Sequence, residues 1–316
     1  MDSRRDFQET RNLRGYRTKI KDVKLIHCRT RRGDPNTNVF VLFILSLKIF
    51  QHSRKSEKMN YPILTPIPVH YRRALIFDVE TTGLIPRPNP ANDTPPRLDE
   101  CPYILQLSFV VYQFSTNRIL ESHDAYISIP EEIPIVERIT EITGITREII
   151  REKGTPIVDS LRAFYEAYSK CDIVIAHNIE FDSGMIAIEI ARNAEFLDTK
   201  IATPLFTPES GVDLYCTMKA TIELCSIMTE YSSKTGTGKP LIYKKFPKLS
   251  ELHERLFGSI PENLHNSLID VLVCLRCFLK IRCCINMTDT MFDRMLRNVV
   301  KNLQKEKDSK LVIVDV

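Results

Sequence analysis

The sequence predicts an α/β domain with a mixed central β-sheet flanked by helices. Two observations carry that expectation. Three β-rich runs come first, joined by turn signals, and further strands then alternate with runs of helical spacing. A hydrophobic fraction of 43% over 316 residues is enough for a sizeable core.

Taken in order, residues 73–79, RALIFDV, read as a strand. Residues 85–101 hold five prolines with Asn and Asp, so they read as a loop. Residues 103–114 and 118–129 are two more β-rich runs. Ser115, Thr116 and Asn117 between them form a hairpin turn, and the three strands can pair antiparallel. Helices follow. Thr155 and Pro156 are a cap followed by proline at the first helical position, and Ile157, Leu161, Phe164, Tyr165 and Tyr168 then recur at helical spacing. Residues 172–176, DIVIA, are a buried strand. A helix starts near Asp182 and carries Met185, Ile186, Ile188 and Ile190. Others are expected over about residues 248–256 and 267–282, and a last amphipathic one from Thr288 that fades in the charged run 305–310. The tail 311–316, LVIVDV, is open between a docking tail, an edge strand and no role.

Charge divides the chain. Residues 1–60 hold fifteen Lys and Arg against six Asp and Glu, whereas the remainder holds 29 against 34. The net +4 therefore resides in the N-terminal segment, which reads either as a weak pointer to nucleic acid or as a solvated arm. Residues 1–58 are expected to be a basic extension, disordered or not translated, with Met59 the true or an alternative start. Residues 59–287 are expected to form the catalytic domain and 288–316 a C-terminal helix and tail. The apolar run 39–50 is a dozen residues and includes Lys48. A transmembrane helix needs about 20, so a short buried element fits better than a membrane segment. Nine cysteines, an odd number, with no secretory pattern read as reduced thiols. Cys274 and Cys277 follow core spacing on one helix, which suits buried thiols better than tetrahedral zinc.

The chemistry sits in three places. Asp78 and Glu80 are two apart at the end of a strand, so their side chains share a face. Neighbouring carboxylates raise each other's pKa, a strain that a hard divalent cation relieves. Taken alone, the same pair is also what solvated acids at an exposed strand end look like. Asp182 opens a helix after a buried strand, as a metal carboxylate or as a helix-dipole charge. His177 and Asn178 just before it read as hydrogen-bond partners rather than ligands. His265 and Asp270 are five apart, which does not place them on one helical face. A helix beginning near Ser267, with His265 on the loop, lets both point into one site.

The ordered set Asp78-Val79-Glu80-Thr81-Thr82-Gly83-Leu84, then His177-Asn178-Ile179-Glu180-Phe181-Asp182, then His265 to Asp270, resembles the DEDDh 3′→5′ exonucleases of the RNase H-like superfamily. The proofreading epsilon subunit of bacterial DNA polymerase III is the familiar member. The resemblance covers residues 61–287. Residues 139–146, 213–220 and 247–252 add to it, the last two resembling viral and plant members. It implies an RNase H-like fold and a phosphodiester hydrolase that releases nucleoside 5′-monophosphates from DNA 3′ ends in proofreading or repair. It implies two divalent ions, Mg²⁺ or Mn²⁺, held by Asp78, Glu80, Asp182 and Asp270, with His265 as general base. It further implies that Thr81, Leu84 and Asn178 contact the terminal nucleotide. The sister group has Tyr where this chain has Asn266, so the histidine subtype is favoured. The implied partners are a single-stranded 3′ end of DNA, or of RNA, and a DNA polymerase acted on in trans. The compartment would be cytoplasmic, a host cytoplasm if the source is a large DNA virus, with the nucleus as an alternative.

Two other functions fit parts of the pattern. A 3′→5′ exoribonuclease would use the same five residues. A non-catalytic nucleic-acid-binding module has no need for clustered acids. Lys234, Lys239, Lys244, Lys245 and Lys248 either guide a strand or solvate a loop. Tyr243 and Phe246 beside them either stack on a base or join the core. The Pro-rich insert after Leu84 departs from the family pattern and bears on substrate access.

Overall fold

The computed structural model describes residues 71–88, 95–198, 200–201, 205–231 and 240–314. The basic segment, the apolar run 39–50, the Met59 boundary, Lys234 and Lys239 lie outside the described residues.

Three strands, β1 (Arg73–Thr81), β2 (Ile104–Gln113) and β3 (Arg118–Tyr126), pair antiparallel as a meander. Asn117 turns the β2–β3 hairpin at φ 52°, the left-handed region that Asn tolerates better than most residues. Two short helices follow, α1 (Glu137–Thr143) and α2 (Arg147–Lys153). Gly144 ends the first at φ 71°, and the Thr146 side chain caps the second by accepting from the Ile149 N–H. Next come α3 (Ile157–Tyr168), β4 (Ile173–Ala176) and α4 (Ile179–Arg192). Strand β5 (Asp213–Cys216) leads into the one-turn helices α5 (Thr217–Ala220) and α6 (Ile222–Cys225). A separate two-stranded ribbon, β6 (Met228–Tyr231) and β7 (Leu241–Lys244), precedes α7 (Leu249–Phe257). The chain finishes with α8 (Ser267–Cys283) and α9 (Asp289–Val314).

The main sheet has the order β3-β2-β1-β4-β5, with β4 and β5 parallel to β1. It is the mixed sheet that the sequence predicts. Its two faces bury separate cores. Leu75, Phe77 and Val79 of β1 pack with α3 and α4, where Phe77 meets Phe164 edge to face at 5.1 Å. Ala74 and Ile76 point the other way, with Val110 and Tyr112 of β2, against α8. Helix α8 is apolar nearly all round because it is enclosed between the sheet and α7 and α9. Cys274 and Cys277 are buried there among Val273, Leu275 and Phe278, as small hydrophobic side chains.

Three expectations need correction. Helix α4 begins at Ile179, three residues before Asp182. Helix α9 runs through the charged stretch 305–310 to Val314, so residues 311–314 are helical and not an edge strand. The third strand ends at Tyr126, and only Ile127 continues it, through a bridge to Thr155. Among the described residues no helix is long and apolar enough to cross a membrane.

Two polar nodes fix the margins. Arg192 at the end of α4 donates to the carbonyls of Leu98, Cys101 and Pro102, where the Pro-rich insert returns, and its guanidinium lies 3.7 Å from the Tyr103 ring centre. Buried Glu189 pairs with it at 2.6 Å. Where the insert leaves and re-enters, Thr82 and Tyr103 exchange hydrogen bonds: the Thr82 N–H to the Tyr103 carbonyl at 2.9 Å and the Tyr103 N–H to the Thr82 hydroxyl at 3.0 Å. On the opposite side, Arg276 of α8 is 4% exposed. It donates to the Met287 carbonyl, Asp289 and His253, between the rings of Phe257 and Phe292.

Candidate active site

Strand β1 runs through the middle of the sheet and delivers two acids at its end. Asp78 and Glu80 follow Ala74 and Ile76 on the face that α8 covers. The β1–β2 register sets Ser108 opposite Asp78 and Gln106 opposite Glu80. A bulge after Glu80 ends the regular pairing.

Asp182 arrives from the other layer. It lies in the first turn of α4 and is 3% exposed. The turn before it is tight: Asn178 sits at φ 83°, and its side chain makes no cap bond to α4. His177 braces this turn. Its Nε2 is 3.0 Å from the Pro247 carbonyl and its Nδ1 is 2.9 Å from the Thr217 hydroxyl. Burial pushes its pKa down to about 4, so the ring is neutral and structural, as a hydrogen-bond partner.

Asp270 lies in the first turn of α8, whose N-cap is Asn266 accepting from the Ile269 N–H at 3.3 Å. His265 is on the preceding loop and exposed, at φ 68°, a left-handed conformation that costs energy for a residue with a Cβ. The expected geometry, a histidine on the loop above an acid in the first helical turn, is therefore present. The His265 backbone N–H donates to Asp270 Oδ2 at 3.3 Å, while Asp270 Oδ1 is buried with no hydrogen-bond partner.

The four carboxyls are electrostatically one cluster. Burial raises all four pKa values: Asp78 to about 7, Asp270 to about 8, Glu80 to about 9, and Asp182 well above the ordinary range. The neighbouring Asp78 charge raises the other three further. Among the described residues, no lysine or arginine is a leading cause of these shifts. One ligand atom each from Glu80, His265 and Asp270 lie within 4.8 Å of one another. Hard oxygen donors, mutually repelling, partly buried and with one orphaned buried oxygen, fit a hard divalent cation. Asp78 and Asp182 border this trio and are linked to it through charge.

The other expected site residues differ in character. Leu84 is 82% exposed just past the strand end. Thr81 is buried and its hydroxyl donates to the Gly83 carbonyl at 2.7 Å, leaving that oxygen only as an acceptor. Tyr243 and Phe246 are exposed rather than in the core. Lys244 pairs with Glu223 and Lys245 with Glu251, so two of the five lysines are already neutralised. Sequence reasoning missed Gln106, Ser108 and Ser267, which surround the acids. The signal was available: Gln106 and Ser108 are polar at alternate positions in the otherwise apolar run ILQLSFVV.

A family model described as an exonuclease, named for RNase T, matches residues 75–278. The chain belongs to this exonuclease family. It is similar to the PolC-type DNA polymerase III of Mycoplasmopsis pulmonis, 27% identical over 198 residues that cover 60% of this chain and 11% of that protein. The corresponding Bacillus subtilis protein is 30% identical over 159 residues, 47% of this chain and 10% of that one. The chain thus spans about a tenth of the length of these curated relatives. Among solved structures, the nuclease domain of 3′hExo, a DEDDh family member bound to rAMP, aligns at 14% identity. Its TM-score is 0.45, covering 68% of this chain and 93% of that one. E. coli Exonuclease I with a dA16 oligonucleotide aligns at 15% identity and a TM-score of 0.44, covering 73% and 45%.

Proposed function

We propose that the protein removes nucleoside 5′-monophosphates from the 3′ end of DNA, in proofreading or repair, with Mg²⁺ or Mn²⁺ held by Asp78, Glu80, Asp182 and Asp270. The observation that carries this is the convergence of four carboxyls, Asp182 buried and Asp78, Glu80 and Asp270 partly so, beside His265. The PolC-type polymerase relatives support the DNA assignment and a DNA polymerase as the partner in trans.

When bound, divalent ions would supply positive charge to the scissile phosphate and make water a better nucleophile at neutral pH. The protein's own groups do the rest. The carboxylates fix where that charge sits. His265, exposed and next to Glu80 and Asp270, takes the proton of the attacking water, a task suited to histidine near neutral pH. Water oxygen bonds to phosphorus as the bond to the 3′-oxygen breaks, and the leaving oxygen collects a proton. Leu84, exposed at the strand end, offers an apolar surface to the terminal base. Asn178 and Thr81 are assigned to the same terminal nucleotide, the latter as an acceptor for a sugar hydroxyl, since its own proton is given to the Gly83 carbonyl.

The test is a nuclease assay on the full chain with 5′-labelled single-stranded DNA, mismatched duplex and RNA, in Mg²⁺, Mn²⁺ or chelator, beside Asp182→Asn. A metal-dependent ladder shortening from the DNA 3′ end and absent from the variant is expected. Faster shortening of RNA than of DNA would replace the DNA reading with an exoribonuclease. Absence of variant-sensitive cleavage would overturn the assignment of the acids.

A further inference from the structure

Gln106 is a glutamine in the wall of an acidic site, and its surroundings leave it one orientation. It is 1% exposed. Its Nε2 donates to Asp124 Oδ1 at 2.7 Å, and its Oε1 accepts from the Ser267 N–H at 3.3 Å. Flipping the amide would set oxygen against carboxylate and N–H against N–H, so the two partners dictate the orientation. Ser108 donates to the same Asp124 oxygen at 2.8 Å. The Ser267 hydroxyl in turn donates to the Asp78 carbonyl at 2.7 Å.

These bonds form a continuous path, Asp124 to Gln106 to Ser267 to Asp78, across three strands and into the first turn of α8. The register places Gln106 beside Glu80 and Ser108 beside Asp78 on the same face. Ser267 is three residues from Asp270 and two from His265. The path therefore ties the helix that presents Asp270 to the strand that presents Asp78 and Glu80. Hydrophobic packing presses α8 on the sheet, but it is non-directional and does not set the sliding of the helix along β1. Directional bonds at the helix start do.

We propose that Gln106, held by Asp124, is a positioning residue that sets the spacing of the metal-binding carboxylates. This rests on the reading of Asp78, Glu80 and Asp270 as metal ligands. Gln106 touches neither substrate nor ion. It acts through Ser267, and outer partners of this kind change metal affinity by about 10- to 100-fold.

The measurement is the Mg²⁺ concentration for half-maximal rise in melting temperature, taken alongside the Mg²⁺ dependence of kcat, for wild type, Gln106→Met, Asp124→Asn and Asp124→Leu. Gln106→Met keeps the length and removes both bonds. It is expected to raise half-saturation about tenfold or more by both readouts, with KM for DNA nearly unchanged. Asp124→Asn keeps an acceptor for the Gln106 amide and is expected to stay within about threefold of wild type, whereas Asp124→Leu is expected to follow Gln106→Met. Folded Gln106→Met with wild-type half-saturation, or with a lowered melting temperature alone, overturns the proposal. If that variant does not fold, Asp124→Leu decides it by the same criterion. A wild-type protein whose melting temperature ignores Mg²⁺ would instead sink the metal reading of the acids, a separate result.

Discussion

Metal-free protein is expected to lose stability as pH rises from about 5 to about 8, and divalent cations are expected to reverse the loss. The perturbation is pH itself, applied in chelator. The carboxyls of Asp78, Glu80 and Asp270 titrate near 7, 9 and 8 in the folded protein, against about 4 in an unfolded chain. Their folded values are raised, so the native state binds more protons than the unfolded state across that window. The stability they contribute is complete below about pH 4 and is lost as pH climbs through the folded values. Each proton of difference gives a slope of about 1.4 kcal/mol per pH unit. The cluster titrates as a set, so one to two protons of net difference is the reasonable range, on the order of 1.4–3 kcal/mol per pH unit. For a domain of this size each kcal/mol moves the melting temperature by about 2–4 °C. The assay is a series of thermal melts between these pH values, with chelator and with saturating Mg²⁺. At about a hundredfold excess over Kd the ion should restore about 2.7 kcal/mol, and a fixed ion concentration should restore more at the alkaline end, where fewer protons have to be displaced from its carboxylate ligands. A chelator series in which melting temperature is flat or rises from pH 5 to 8 would refute the buried-cluster argument.

Four further outcomes are expected. His265→Ala should lower kcat by about 10²–10⁴-fold with little change in melting temperature, because the side chain is exposed; enzyme kinetics and a melt on one sample check both halves. Leu84→Ala should raise KM for single-stranded DNA several-fold at nearly constant kcat and stability, as its side chain is 82% exposed; an unchanged KM would remove Leu84 from the substrate path. Arg276→Leu should destabilise by about 3–5 kcal/mol in denaturant titration, since it strips the buried bonds to His253 and the Met287 carbonyl. Asp289→Ala, whose side chain is 79% exposed, should cost about 1 kcal/mol or less.

Much of this was legible in the sequence because local signals and tertiary structure agree. The run RALIFDV is a strand by composition, and its alternation already assigns Asp78 and Glu80 to one face. The five-residue offset of His265 and Asp270 already asks for a helix that begins between them, and α8 does begin at Ser267. What was not legible depends on partners distant in sequence. The start of α4 at Ile179 has no side-chain cap to announce it, because Asn178 in a left-handed conformation turns the chain instead. Strand β5 is four residues and is defined by pairing with β4. The closeness of Gln106 to Glu80 depends on strand register, and the tie to Ser267 spans 161 positions.

The two ends of the Pro-rich insert are stapled to each other through Thr82 and Tyr103 and gripped by Arg192. The polypeptide thus returns to the sheet close to where it left it, and Ile85 and Leu98 of the insert pack against the core. A change confined to the residues between Ile85 and Leu98 is therefore expected to leave the strand that carries the acids in place, so a reporter or a recognition loop could be grafted there.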